Sequence, residues 1–380
     1  MARDIDRRLR SLSARRSGID RLNRVRADDS TELLRKSIIT EDYQKRADNQ
    51  PNTRYALGAM QEVSPDYTRI SLETAERVGR QLHQGLTSAA YSVVFRLQGS
   101  VPLNTHIRGV SDVDLLTLNT DFVMYYMAGR RSRAGLYTNP TAQTSVAVLS
   151  SLRRESEKIL VNAYPAATVD TSGSKAIHLS GGSLARPVDV VPAHWVDTIA
   201  YQESSQEHDR GVNILDKSVP EAVENLPFLH IKRINERDVQ ALNSLKKAVR
   251  LCKNVKSDAE EDGTAIALGS YDIAATLYHA DLGALQSGSL YELRILAEAQ
   301  RYLDWLYRNR AEAEELMVPD GSRRIFSSAD KFTGLLHLSV EIDDLMREVA
   351  KEQNVLLRYG SGPSLEQCRD AVSSVYIPTA

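Results

Sequence analysis

Three short motifs constrain what this chain can fold into and what it can bind. The first is a Gly-Ser dipeptide, Gly99 and Ser100, which follows a run rich in β-branched and aromatic residues. The second begins eleven residues after Ser100 and carries Asp112 and Asp114, and the third is an apolar run around Asp189. Because small residues let backbone N–H groups approach an anion closely, the first motif predicts a turn that holds a triphosphate.

The aspartates predict a site for divalent cations. Alternate side chains of a strand point to the same face, so Asp112 and Asp114 project side by side. Two carboxylates at such a short separation need positive charge between them. Mg²⁺ supplies it and prefers carboxylates, phosphate oxygens and water as ligands. Phosphoryl-transfer sites hold two such ions about 3.5 to 4 Å apart, and Asp189 supplies a further ligand. We therefore expect two Mg²⁺ ions per site, for which Mn²⁺ substitutes, and a catalytic role for all three aspartates.

An ion pair is the alternative explanation for Asp189. An unpaired carboxylate within an apolar strand costs several kcal/mol, and Arg186 is close enough in sequence to neutralise it. The upstream motifs favour the metal, although each is common alone, since Gly-Ser also occurs at residues 173, 288 and 321. The order of the motifs carries the argument. The remaining candidates lack metal-binding spacing, and we expect structural or loop roles for them: His106, His178 and His194.

Hydrophobic periodicity predicts an α+β chain. One face of a helix is apolar from residue 71 to 93, and residues 92–97 and 113–118 read as two strands of a hairpin. A further helix is expected over residues 146–164, followed by strands at 175–179, 188–191 and 212–215. After about residue 220 the strand signals largely vanish, and the pattern predicts helices over residues 239–253, 271–285, 290–315 and 328–355.

Length and composition fit two ordinary soluble domains. The chain has 380 residues, of which 42% are hydrophobic and 26% charged. We expect a charged arm over residues 1–60, a catalytic lobe over 61–220 and a helical lobe over 221–380. The net charge of -2 argues against a long nucleic-acid template. Two cysteines and the lack of an apolar run of about eighteen residues predict a cytoplasmic protein without signal peptide or membrane span.

At these motifs the chain resembles the bacterial cGAS/DncV-like nucleotidyltransferases of the polymerase-β superfamily. The resemblance covers about residues 65–280 and rests on residues 98–100, 105–108, 111–115 and 188–192. It implies a nucleotidyltransferase lobe, with a mixed β-sheet flanked by helices, an α-helical lobe after it, and an active site in the cleft between them. The family's animal DNA sensor has a zinc insertion that two cysteines cannot build, so DNA activation of that kind is not expected.

The resemblance also implies residues that bind the nucleotide. Gln98, Gly99 and Ser100 match the family's phosphate-binding turn, and Lys253, or less favourably Lys247, matches the lysine that binds the donor triphosphate. Two further residues, Ser270 and Tyr271, match the start of the family's Ser-Tyr helix. By that resemblance Ser270 adds a hydroxyl contact to the nucleotide and the ring of Tyr271 stacks on a base. The residue types suit these roles, because lysine is a point charge for phosphate and an aromatic face stacks on any base.

Three functions compete on this basis. The leading hypothesis is an enzyme that joins nucleoside triphosphates into a cyclic di- or trinucleotide signal for antiphage defence. Its expected partners are the triphosphates and regulatory or effector proteins of a defence operon, with the enzyme itself a monomer. The alternatives are a template-free linear oligonucleotide or RNA-end nucleotidyltransferase, and a catalytically silent nucleotide-binding scaffold.

Overall fold

The computed structural model of the protein describes residues 4–17, 41–359 and 362–379. The chain forms two compact units whose segments alternate along the sequence. A helical unit comprises Met1–Val63, Asn104–Val110 and Ile234–Ala380, and a sheet unit comprises Ser64–Leu103 and Ser111–Arg233. All three motifs lie in the sheet unit, although the segment Asn104–Val110, which follows the Gly-Ser turn, belongs to the helical unit.

Helices make up most of the described chain. The longest are capped as their sequences suggest, since Ser64 accepts a hydrogen bond from Tyr67 N and Pro65 occupies the first turn of the helix that follows. In chain order the helices are α1 Ile5–Ser17, α2 Pro51–Met60, α3 Pro65–Ser88, α4 Arg130–Arg133, α5 Ser145–Ala163, α6 Ile199–Ser204, α7 Pro227–Gln240, α8 Leu245–Glu261, α9 Ser270–Tyr278, α10 Leu282–Ser287, α11 Leu293–Arg308, α12 Arg310–Glu315, α13 Ala329–Gln353 and α14 Leu365–Ser373.

The sheet unit is built on one mixed sheet of seven strands. They are β1 Val93–Gln98, β2 Val113–Tyr125, β3 Thr168–Asp170, β4 Ile177–Ser180, β5 Val188–Asp197, β6 Gly211–Asp216 and β7 Glu221–Asn225. The order is β1-β2-β5-β4-β3, while β6 pairs with both β5 and β7. Strands β2 and β5 are parallel and the other pairs are antiparallel. The expected hairpin of β1 with β2 is confirmed, as is the α+β class.

Alternation along β2 explains how the sheet is covered. Val113 and Leu115 face one apolar core, to which α3 contributes Val78 and Leu82, all of them almost fully buried. Leu116 faces a second core on the opposite side of the sheet. Burial of such side chains stabilises each by about 1.5 to 3 kcal/mol, so the register of β2 is fixed by its apolar residues. The same alternation places the aspartates on the face opposite to Val113 and Leu115.

Several expectations about the elements are wrong in detail. Strand β7 lies beyond residue 220, where no strand was expected, because its polar sequence pairs as an edge beside β6. The helix expected from residue 239 begins instead as α8 at Leu245. The break has a local cause, since Leu242 and Asn243 take positive φ angles of 52° and 63°, which no helix tolerates.

The described parts of residues 1–60 differ from the expected peripheral arm. Leu12 and Tyr43 are each 1% exposed, and Tyr55 is fully buried in the helical unit. Arg15 Nη1 donates to Asp258 Oδ1 at 2.6 Å, and the Tyr55 hydroxyl donates to the same carboxylate. Residues 18–40 of that range lie outside the described chain. None of the described helices combines the length and apolar character needed to cross a membrane.

Candidate active site

Strand register lines up one polar residue on each of five neighbouring strands. Gln98 of β1 pairs with Asp114 of β2, which pairs with Asp189 of β5. Asp189 pairs in turn with His178 of β4, and His178 with Asp170 of β3. Directly paired residues point to the same face of a sheet, so these five form a continuous polar row across it. We refer to them below as the polar row.

Asp112 lies beside the polar row, two residues before Asp114 and just ahead of β2. His178 Nδ1 is 3.8 Å from Asp112 Oδ2 and 2.8 Å from Asp189 Oδ1. The side chains of Asp112, His178 and Asp189 are 37%, 37% and 27% exposed, so the group is open to solvent on one side. Each of these residues offers one ligand atom, and the three atoms lie within 4.8 Å of one another.

The donor set suits a divalent cation. Carboxylate oxygens are the ligands that Mg²⁺ and Mn²⁺ prefer, and partial exposure leaves room for the waters and phosphate oxygens that Mg²⁺ retains. The structure thus brings Asp112 and Asp189 together, and the register places Asp114 directly beside Asp189. The sequence predicted these three residues from their order alone. What it could not supply is the sheet pairing that joins segments 75 residues apart.

His178 was expected to have a structural or loop role; it is not a loop residue, since it lies on β4 and its Nδ1 is 2.8 Å from the Asp189 carboxylate. Its signal was faint, a single polar residue between Ile177 and Leu179, which are both fully buried. His194 does have a structural environment, since Nε2 lies 2.5 Å from Ser145 Oγ and Nδ1 lies 3.0 Å from Trp195 O. His106 is also buried, at 1% exposure.

Arg186 was the alternative ion-pair partner of Asp189. In the structure the carboxylate of Asp189 has His178 as a neighbour, with Nδ1 2.8 Å from Oδ1. The guanidinium of Arg186 lies 3.9 Å from the ring centroid of Tyr67 and donates to Ala185 O at 2.7 Å. This stacking on an aromatic face gives the arginine a structural role of its own.

The lysines implied by the resemblance lie on α8 in the helical unit. Lys253 is 4% exposed, and its ammonium donates to the backbone carbonyl of Thr105 at 2.8 Å. Lys247 instead pairs with Glu292, with Nζ 2.9 Å from Oε1. Of the two, Lys253 therefore contacts the segment that follows the Gly-Ser turn in sequence. Its binding to a triphosphate stays a prediction, as does a cleft between the two lobes.

The Ser-Tyr pair begins α9, also in the helical unit. Ser270 is exposed and is the first helical residue, so the cap position belongs to Gly269 and not to Ser270. The hydroxyl of Tyr271 donates to Asp320, and the guanidinium of Arg323 lies 5.2 Å from its ring centroid. Burial and the neighbouring Asp320 carboxylate raise the pKa of Tyr271 well above its usual value. Base stacking by Tyr271 stays a prediction.

Comparison with known proteins identifies a family and relatives to which this chain is similar. Residues 232–335 match the model of the cGAS/DncV-like nucleotidyltransferase C-terminal helical domain. The chain is 42% identical over 314 residues to the cyclic dinucleotide synthase CdnE of Yersinia aleksiciae, covering 83% of this chain and 81% of the relative.

Solved structures agree in fold. A CdnE c-di-GMP synthase from Capnocytophaga granulosa is 27% identical with a TM-score of 0.67, covering 90% of this chain and 97% of that one. A CdnE c-di-GMP synthase from a Flavobacteriaceae species has a TM-score of 0.71 at 22% identity, with coverage of 92% and 99%. With the aspartates on one face of the sheet and a 42% identical relative matched over most of its length, this chain belongs to the cGAS/DncV-like nucleotidyltransferase family.

Proposed function

We propose that the protein joins two nucleoside triphosphates into a cyclic dinucleotide and releases two pyrophosphates, as a signal in antiphage defence within the cytoplasm. The arrangement of Asp112, Asp114 and Asp189 at one end of two parallel strands is the observation that carries the proposal. The name of the 42% identical relative, a cyclic dinucleotide synthase, supports a ring of two nucleotides.

The chemistry follows from where the carboxylates lie. Asp112 and Asp114 hold the site at which the triphosphate is oriented, and Asp189 accepts the proton of the attacking ribose hydroxyl. Asp112, Asp114 and Asp189 would hold two divalent cations, Mg²⁺ or Mn²⁺, whose charge would neutralise the leaving pyrophosphate and lower the pKa of that hydroxyl. The hydroxyl oxygen bonds to the α-phosphorus as the bond to the β-phosphate oxygen breaks. A second such transfer, within the linear intermediate, closes the ring.

The remaining residues position the substrate. We assign Gln98, Gly99 and Ser100 to the phosphates, because Gly99 and Ser100 form a turn directly after Gln98, the polar-row residue of β1. Lys253 adds a point charge for the donor triphosphate, the role that the resemblance to the family implies for it. Ser270 adds a hydroxyl contact and Tyr271 stacks on a base, with Arg323 lying against its ring. Positioning and charge neutralisation then provide most of the rate enhancement.

The test is incubation of the purified full chain with labelled ATP, GTP, CTP and UTP, with Mg²⁺ or Mn²⁺. Phosphatase-resistant products are expected, identified as cyclic dinucleotides by mass spectrometry. Asp112→Asn and Asp189→Asn should each reduce turnover by about a thousandfold, equivalent to roughly 4 kcal/mol of transition-state stabilisation. Asp121→Asn is the matched control, because Asp121 is exposed on the same strand β2 and accepts a hydrogen bond from Ser92 N.

The outcomes separate this function from its rivals. Products that phosphatase degrades, or label transferred to added RNA, would identify a linear nucleotidyltransferase instead. If no product forms with any of the triphosphates and with either metal, the result would favour the catalytically silent scaffold. Full activity in Asp112→Asn would show that the site has been assigned to the wrong residues.

A further inference from the structure

His178 belongs to the polar row and faces the aspartates, and the proposed function gives it no role. It lies on β4, directly paired with Asp189 on one side and with Asp170 on the other. An ionised carboxylate only accepts hydrogen bonds, so at 2.8 Å the imidazole Nδ1 donates to Asp189 Oδ1. That bond fixes the rotation of the carboxylate and leaves its second oxygen for other contacts.

We infer that His178 is a positioning residue, which holds the Asp189 carboxylate by an Nδ1–H hydrogen bond so that its second oxygen faces the cation and the attacking hydroxyl. This inference rests on the proposed function, in which Asp189 accepts the proton. A carboxylate ligand is commonly held by an outer hydrogen bond, and loss of such a bond costs about 10- to 100-fold in metal affinity or activity.

The fold holds His178 rigidly. Ile177 and Leu179, its neighbours in β4, are fully buried, so the strand cannot rotate without exposing them. The segment before β4 is held by hydrogen bonds from Arg153, whose side chain is buried at 3% exposure. Its guanidinium donates to four backbone carbonyls, those of Thr171, Gly173, Ser174 and Ala176. The imidazole is therefore placed before any substrate arrives, which is what a positioning role requires.

Direct coordination by the imidazole is the competing role. The ligand atoms of His178, Asp112 and Asp189 are close enough for one ion, within 4.8 Å of one another. The hydrogen bond is favoured because Mg²⁺ takes oxygen ligands and retains water, while Nδ1 already lies at hydrogen-bond distance from Asp189. The two roles differ in whether nitrogen bonds directly to the cation, and this difference is measurable.

Three substitutions of His178 separate its functions. The amide nitrogen of asparagine reaches about where Nδ1 lies, whereas that of glutamine reaches toward Nε2, and phenylalanine keeps the ring without a donor. His178→Asn should retain kcat within about threefold of wild type, while His178→Gln and His178→Phe lose about 10- to 100-fold with KM for the triphosphate unchanged. His83→Asn is the control, because His83 is an exposed histidine of the same unit.

Mn²⁺ binding gives a readout that needs no turnover. On the full chain, electron spin-echo envelope modulation should show no directly bound ¹⁴N, and the dissociation constant for Mn²⁺ should rise only in the glutamine and phenylalanine variants. Directly bound nitrogen that disappears in His178→Phe would overturn the inference in favour of a ligand. Equal Mn²⁺ affinity in all variants, or an asparagine variant as impaired as phenylalanine, would also overturn it.

The same measurements keep this inference distinct from the proposed function. If the wild type binds Mn²⁺ but makes no product, the proposed function fails while the Mn²⁺ series still decides the role of His178. Should His178→Phe fold poorly, as judged by its thermal midpoint, the asparagine and glutamine pair provides the comparison.

Discussion

The carboxylate of Asp114 lies directly against the α-carbon of Gly99. A Cβ placed on Gly99 would lie 2.1 Å from Asp114 Oδ2, and the residue has a φ of +75°. The register explains the contact, since Asp114 pairs with Gln98, the residue immediately before the glycine. Gly99 is thus required twice, once for its backbone conformation and once for the space that Asp114 occupies.

Gly99→Ala should therefore abolish most activity with a modest loss of stability. The added methyl group must displace the Asp114 carboxylate, and we expect turnover to fall by about a hundredfold or more, equivalent to at least ~2.7 kcal/mol. Gly135→Ala is the matched control, because Gly135 has a φ of +69° with nothing within 4 Å of an added Cβ. Both variants should lose about 1 to 2 kcal/mol of stability from backbone strain, measured by thermal unfolding. Equal activity in the two variants would show that the contact with Asp114 is unimportant.

The sequence predicted the aspartates more reliably than their neighbour on β4. Asp112 and Asp114 are two residues apart in a segment predicted to be extended, so strand periodicity alone predicts that they share one face. Asp189 is recognisable in the sequence because it is an acidic residue that interrupts an apolar run. His178 has no such local pattern, because its position depends on the pairing of β4 with β5, which is set by the packing of Ile177 and Leu179. Its role follows only from tertiary structure.

The N-terminal region shows the same limit in the helical unit. Its arginines suggested a solvated arm, since arginine is usually exposed. Arg8 and Arg15 are instead 4% and 6% exposed, because acidic residues far along the chain pair with them. Arg8 Nη2 donates to Asp262 at 2.7 Å and to Glu341 at 3.0 Å. Composition cannot reveal partners that lie 254 and 333 residues further along the chain.

Arg250→Met should destabilise the helical unit strongly. Arg250 is 5% exposed, and it donates to the carbonyls of Met60 and Asn104, both at 2.7 Å. Its burial lowers the pKa of the guanidinium to about 10. Methionine would leave both carbonyls without this donor, at a cost of about 3 kcal/mol or roughly 6 to 12 °C in thermal midpoint. Lys256→Met on the same helix α8, where the side chain is 20% exposed, should change the midpoint by little. Equal shifts in the two variants would contradict this role for Arg250.

Lys253→Met should separate phosphate binding from packing. If Lys253 binds the triphosphate as proposed, loss of a charged hydrogen bond should lower kcat/KM by about 10- to 100-fold. Lys247→Met, which removes only the pairing with Glu292, should retain kcat/KM. The thermal midpoint must be measured alongside, because Lys253 Nζ also donates to Thr105 O. A lowered midpoint with unchanged kcat/KM would restrict Lys253 to a structural role.

His194 should make the protein less stable in mild acid. It is fully buried, and burial lowers the pKa of its imidazole below the ordinary value of about 6.5. The unfolded chain therefore binds a proton below about pH 6.5 that the folded protein resists, so stability falls as the pH drops through that value. The loss continues until the pH reaches the lower folded pKa, and above pH 7 this histidine contributes no pH dependence.

The effect is best read as a slope of thermal midpoint between pH 7.5 and 5.5. His194→Asn loses the contacts with Ser145 and Trp195, so it should be less stable at every pH. Its midpoint should nevertheless fall less steeply than that of the wild type, because the group that resists protonation is gone. His83→Asn, which removes an exposed histidine, should keep the wild-type slope. If His194→Asn and the wild type have the same slope, acid destabilisation arises from other groups in the protein.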